Sequence, residues 1–167
     1  MTEDLEREAE PTDRDPIIAV FLSGESFFKS AQYLRKALDN KDLQLRFQMP
    51  VYYLYSHALE LTLKAFLRTK GLSSGKMRSR EFGHKLQALW AACLKNGLRL
   101  HPVKEALVAE IVELLDSSAT DFEFRYVKVG FKTLPTLDGL EAAVADLIES
   151  VRPLCGATVG GQIPPRG

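Results

Sequence analysis

Four polar residues stand at intervals that chemistry can use. Tyr53, His57, Glu60 and Lys64 occupy positions i, i+4, i+7 and i+11 of one apolar segment, which in a helix puts them on one stripe. Glu60 and Lys64 have the favourable orientation for an i,i+4 ion pair, worth only about 0.2–0.5 kcal/mol when exposed. Burial changes the meaning of the row. Charges removed from water must be paired and hydrogen-bonded, so a buried His/Glu/Lys stripe is either a structural network or a ligand site. Networks of that kind are the more common origin, and the sequence shows no other parts of a catalytic device around this one.

Other chemistries find less support. His57 and Glu60 offer two metal ligands at i,i+3, but metal sites in helical bundles draw further ligands from facing helices at similar spacing. Neither His84 nor His101 has such a partner in the sequence, so neither a metal nor another cofactor is expected. No strand-turn-helix nucleophile elbow surrounds any serine. Cys93 reads as a small core residue. Gly71, Gly75 and Gly83 are too scattered for a phosphate-binding loop.

Charge is segregated along the chain. From Lys64 to Lys104 there are ten bases, including Arg68, Arg78 and Arg80, against the single acid Glu81. The sign then reverses through Glu105, Glu110, Glu113, Asp116, Asp121 and Glu123, before Arg125, Lys128 and Lys132. A basic loop beside an acidic helix suits an internal complement, a dimer contact or an anion site; solvated faces are the plain alternative.

The elements that must position these residues are helical. Ile17, Phe21, Phe28, Ala31, Leu34 and Leu38 recur at helical steps from Pro16 to Asn40, with Gly24 marking a close helix contact. A second helix starts near Gln48 to Val51, because Pro50 suits a first turn, and stops at Gly71. Its apolar residues cover more than half its circumference, so it is central. Leu72 to Gly83 reads as a loop. His84 to Asn96 is a third helix with Leu86, Leu89, Trp90, Cys93 and Leu94 inside. Pro102 to about Ser117 is a fourth, with Val103, Leu107, Ile111, Leu114 and Leu115 inward. Phe122 to Thr133 reads as a loop or short extended piece, and Thr136 caps a last helix through Val151. The fold class is therefore all-α, an up-and-down bundle of four long helices and a shorter fifth element.

Composition sets the frame. With 167 residues, 22 bases balanced by 22 acids and 46% apolar content, the chain can bury one core without disulfides or metals. The acidic residues 1–15 should stay disordered, the bundle should span 16–152, and the Gly/Pro-rich stretch 153–167 should form a flexible tail. No stretch of about 18 apolar residues suggests a membrane span. Two cysteines, one in a helix and one in the tail, fit reduced thiols and a cytoplasmic protein.

The run Tyr55-Ser56-His57-Ala58-Leu59-Glu60-Leu61-Thr62-Leu63-Lys64-Ala65-Phe66-Leu67, then Gly71, then His84-Lys85-Leu86 and Leu89-Trp90, resembles the HEPN superfamily of small helical bundles. That family shows a Glu-x-x-Leu-Lys-Ala segment on a central helix, a loop ending in Gly and a His-x-Leu start to the next helix. Phe124-Arg125-Tyr126 is similar to its late Arg-Tyr pair. The resemblance covers about residues 16–152.

It implies one of two functions. Many members are metal-independent ribonucleases with an Arg and a His separated by four to six residues at a dimer interface; many others are inactive binding modules, often beside a nucleotidyltransferase. Arg125 takes the arginine position, but Tyr126 to Lys132 holds no histidine. The spacing is met instead by Arg78 and His84, at the entry to the third helix. The leading expectation is a non-catalytic or weakly catalytic module that binds a nucleotide, RNA or protein partner. Its ligand residues would be His57, Glu60, Lys64, Arg68, Arg125 and Tyr126, with the basic pair Arg78 and Arg80. The alternative is an endoribonuclease of toxin or defence type, with His84 deprotonating a 2′-hydroxyl and Arg78 or Arg80 stabilising the phosphorane charge. A purely structural helical dimer is the third reading. On the structural reading His84 is a helix-start residue bonded to neighbouring backbone. The resemblance also implies a homodimer joined through an apolar patch on the first or last helix, and a nucleotidyltransferase as a partner protein.

Overall fold

The computed structural model describes residues 16–118 and 133–156. Residues 1–15, 119–132 and 157–167 lie outside it. So do Arg125, Tyr126, the acidic N-terminus, most of the Phe122 to Thr133 segment and most of the Gly/Pro-rich tail.

All regular structure among the described residues is helical: α1 (Ile17–Asp39), α2 (Met49–Thr69), α3 (Ser74–Arg78), α4 (Leu86–Lys95), α5 (Pro102–Ser118) and α6 (Leu137–Val151), followed by a 3₁₀ turn (Arg152–Cys155). The most extensive contact joins α1 and α2, and α2 also packs on α4, α6 and the 3₁₀ turn. α5 bridges α4 and α6. The central helix is therefore α2, with Val51, Tyr55, Ala58, Leu59, Leu63, Phe66 and Leu67 buried around it. α1 can lie close because it has no side chain at Gly24. A Cβ there would stand 3.1 Å from Thr62 Oγ1, 3.2 Å from Leu61 Cβ and 3.3 Å from the Ala58 carbonyl.

Local signals explain most boundaries. Pro50 lies in the first turn of α2, where its missing N–H costs nothing. Gly71, just beyond that helix, has φ +87°. The Thr136 side chain accepts from the Gly139 N–H and caps α6. α4 is capped from outside its own segment, because its Leu86 N–H donates to Asp116 Oδ1 on α5 at 2.9 Å.

Four expectations need correction. The segment predicted as a loop contains α3, whose N-terminus is capped by the Ser73 hydroxyl accepting from Lys76 N–H. Five residues are too few to show an apolar period, so there are six α-helices among the described residues instead of five. α4 begins at Leu86 rather than His84, because the chain is still turning at Gly83, with φ +40°. Val103, predicted to face inward, is 72% exposed. Ile111 and Leu115 are buried as expected and Leu107 packs against the core, but Val108 and Val112 complete the inner face of α5, so that face is turned away from Val103. Regular structure also continues past 152 into the Gly/Pro-rich stretch, where Cys155 is buried.

The two cysteines, Cys93 and Cys155, are free thiols. Burial raises the pKa of the Cys93 thiol far above its usual range and that of Cys155 to about 11. Both therefore act as packing residues near neutral pH.

Candidate functional site

The predicted stripe exists, and its centre is Glu60. This residue is 7% exposed, and its carboxylate collects cationic and imidazole nitrogens from two elements. Lys64 Nζ donates to Oε1 at 2.6 Å. His84 Nδ1 lies 3.1 Å from both carboxylate oxygens, and His57 Nδ1 lies 4.0 Å from Oε2. A carboxylate this deep is costly to bury without such partners.

α2 places His57, Glu60 and Lys64 by helical spacing alone, whereas His84 arrives from the turn between α3 and α4. That turn is anchored by burial of Met77 and Phe82 and closed by a Lys85 N–H to Phe82 carbonyl bond of 2.7 Å. Lys76 pairs with Glu81, and its Nζ lies 5.7 Å from the Phe82 ring centre. The turn's one acid is thus spent on Lys76, while Arg78 and Arg80 remain exposed. Arg68, one turn beyond Lys64, is half-buried.

His84 reaches beyond the neighbouring backbone that the structural reading assigned to it. Its Nδ1 meets Glu60, twenty-four positions away in the chain, while the side chain stays 67% exposed. The sequence hides this because the turn folds back over the helix, and no local spacing encodes that return. The same contact brings His84 to the His57/Glu60 pair that sequence spacing left without a third member. Among the described residues, no group of three His, Cys, Asp or Glu has the geometry to hold a metal ion.

His57 is braced by two rings. The Phe27 ring of α1 meets it edge-on at 4.4 Å between centroids, and Tyr53 lies nearly parallel, 9° between planes at 5.9 Å. Burial lowers the His57 pKa below its ordinary value. Glu60 opposes this, while Lys64 and His84 reinforce it. Near neutral pH His57 is therefore held in its neutral form.

A second polar cluster, absent from the sequence reading, ties α6 to α1 and α2. Glu141 accepts from Gln32 Nε2 at 2.9 Å, Arg35 Nη1 at 3.0 Å and the Tyr55 hydroxyl at 2.7 Å. Arg35 also pairs with Asp138. Burial pushes the Glu141 pKa up, but the bonds from Gln32 and Tyr55 and the charge of Arg35 outweigh it and hold the carboxyl below its usual value. A groove of 710 Å³ opens beside these side chains. The available signal was the matched spacing, Gln32 and Arg35 on one helix and Asp138 and Glu141 on another, each at i,i+3.

Compared with known proteins, the chain matches no family model, no curated protein and no solved structure at a significant level.

Proposed function

We propose that the chain is a HEPN-like helical module that binds RNA through the basic turn between α2 and α4, with little or no catalysis. The observation that carries this reading is the Glu60–His84 contact. It fastens the end of the turn to the central helix while Arg78 and Arg80 remain exposed beside it. Fixed backbone with exposed guanidinium groups suits phosphate recognition, since a bidentate fork matches a phosphate and needs no metal.

The test is equilibrium binding of a labelled RNA across a salt series. Electrostatic binding weakens steeply with salt, and Arg78→Ala with Arg80→Ala flattens the log–log slope by about two. Undetectable or salt-insensitive binding would sink the proposal and leave a structural dimer as the remaining reading. Sedimentation measures that association directly.

One feature favours a second reading, the metal-independent endoribonuclease. A histidine whose Nδ1 is held by a carboxylate is oriented for proton transfer at its other nitrogen, and His84 is so held. Cleavage in chelator that disappears in His84→Ala would establish it; cleavage that survives the substitution would remove His84 from any catalytic role.

A further inference from the structure

We infer that Tyr53 is a base-stacking platform, and hence that the RNA ligand is single-stranded where it meets this face; this rests on the proposed RNA binding. The other α2 aromatics of the core, Tyr55 and Phe66, are buried. Tyr53 is 37% exposed at the outer end of the polar stripe. Its ring is parallel to His57, which is itself fixed edge-on by Phe27. The phenol therefore presents a braced plane rather than a loose side chain.

From that plane the contacts run without a break through His57 and Glu60 to His84, where the basic turn ends. Seven residues of helix rise separate Tyr53 from Glu60 by about 10 Å. A strand held by the basic turn can therefore run along α2 to the ring. Arginines alone would accept any phosphate chain, duplex included. An exposed aromatic ring adds something that only an unpaired base can use, because the bases of a duplex are already stacked on each other.

The experiment measures fluorescence anisotropy of a short labelled single-stranded RNA and of its duplex, against wild type, Tyr53→Ala and Tyr53→Phe. Circular dichroism verifies that each variant is folded. Loss of one stacked base weakens binding about 5- to 150-fold. Tyr53→Ala should lower single-strand affinity by that factor, keep the salt slope of wild type and leave duplex affinity unchanged. Tyr53→Phe should restore most of the affinity, since it keeps the ring. Equal single-strand binding by wild type and Tyr53→Ala would overturn the platform and leave the phosphate contacts standing. Equal weakening of single strand and duplex would overturn it as well. Absence of binding by the wild type would overturn the RNA reading and this inference together.

Discussion

At the scale of single residues, Glu60 has the most at stake. Its carboxylate is nearly out of water, and Lys64, only 13% exposed in its side chain, depends on it. Removing one member of such a pair strands the other charge, whereas replacing both with apolar groups is often tolerated. Glu60→Ala should therefore destabilise the fold by about 3 kcal/mol, and the double variant Glu60→Ala with Lys64→Leu should recover more than half of that. Urea denaturation of both variants measures the difference. Recovery would assign the loss to the stranded lysine; no recovery would mean that His84 and His57 need Glu60 more than Lys64 does. Either result bears on function, because His84 ties the turn to α2 through this carboxylate. The row itself was legible in the sequence from its spacing. Its burial was not, because a mostly apolar helix does not disclose which of its faces a distant turn will cover.

Among the elements, the α1–α2 contact dominates, and Gly24 sets how close it can be. Adding a methyl there brings it within 3.3 Å of the Ala58 carbonyl, a backbone atom that cannot rotate away. Overpacking costs about 1–3 kcal/mol, and the better helix propensity of Ala returns up to about 1 kcal/mol. Gly24→Ala should therefore destabilise by about 1 kcal/mol, read as a lower denaturation midpoint with an unchanged m-value. A stabilised variant would show that the helices can separate freely. The sequence marked this position, since a glycine inside a long amphipathic helix needs a reason. It did not mark α3, which is held by one serine cap and two buried anchors, nor the rotation of α5, where several apolar faces compete.

For the molecule as a whole, ion pairs fasten α6 to two neighbours, to α1 through Arg35 with Asp138 and Glu141 and to α5 through Lys104 with Asp146 at 2.6 Å, while the 3₁₀ turn that follows it is tied to α1 by Arg152 with Glu25 at 2.5 Å. Acid should loosen the assembly in two stages. His57 has a depressed pKa in the folded state, so the unfolded chain takes up its proton first. Stability present above about pH 6.5 is then lost as pH falls toward the lower folded value. Glu141 is depressed as well, so its contribution is complete above about pH 4.3 and disappears as pH drops through its folded pKa. Urea midpoints followed against pH should show both windows. His57→Gln should remove the upper one, and Glu141→Gln should flatten the lower; an upper window that persists in His57→Gln would assign it to another group.

By itself the sequence determined an all-helical chain, most of the starts and stops of its helices and the polar row on the central one. These depend on short-range causes: period, caps, prolines and glycines act within one or two turns of where they stand. Only the tertiary structure decided that His84 would meet Glu60, that Glu141 would gather Gln32, Arg35 and Tyr55, and that Val103 would face water. Each of those outcomes depends on how separate helices rotate and cross, which is set by packing the whole core at once.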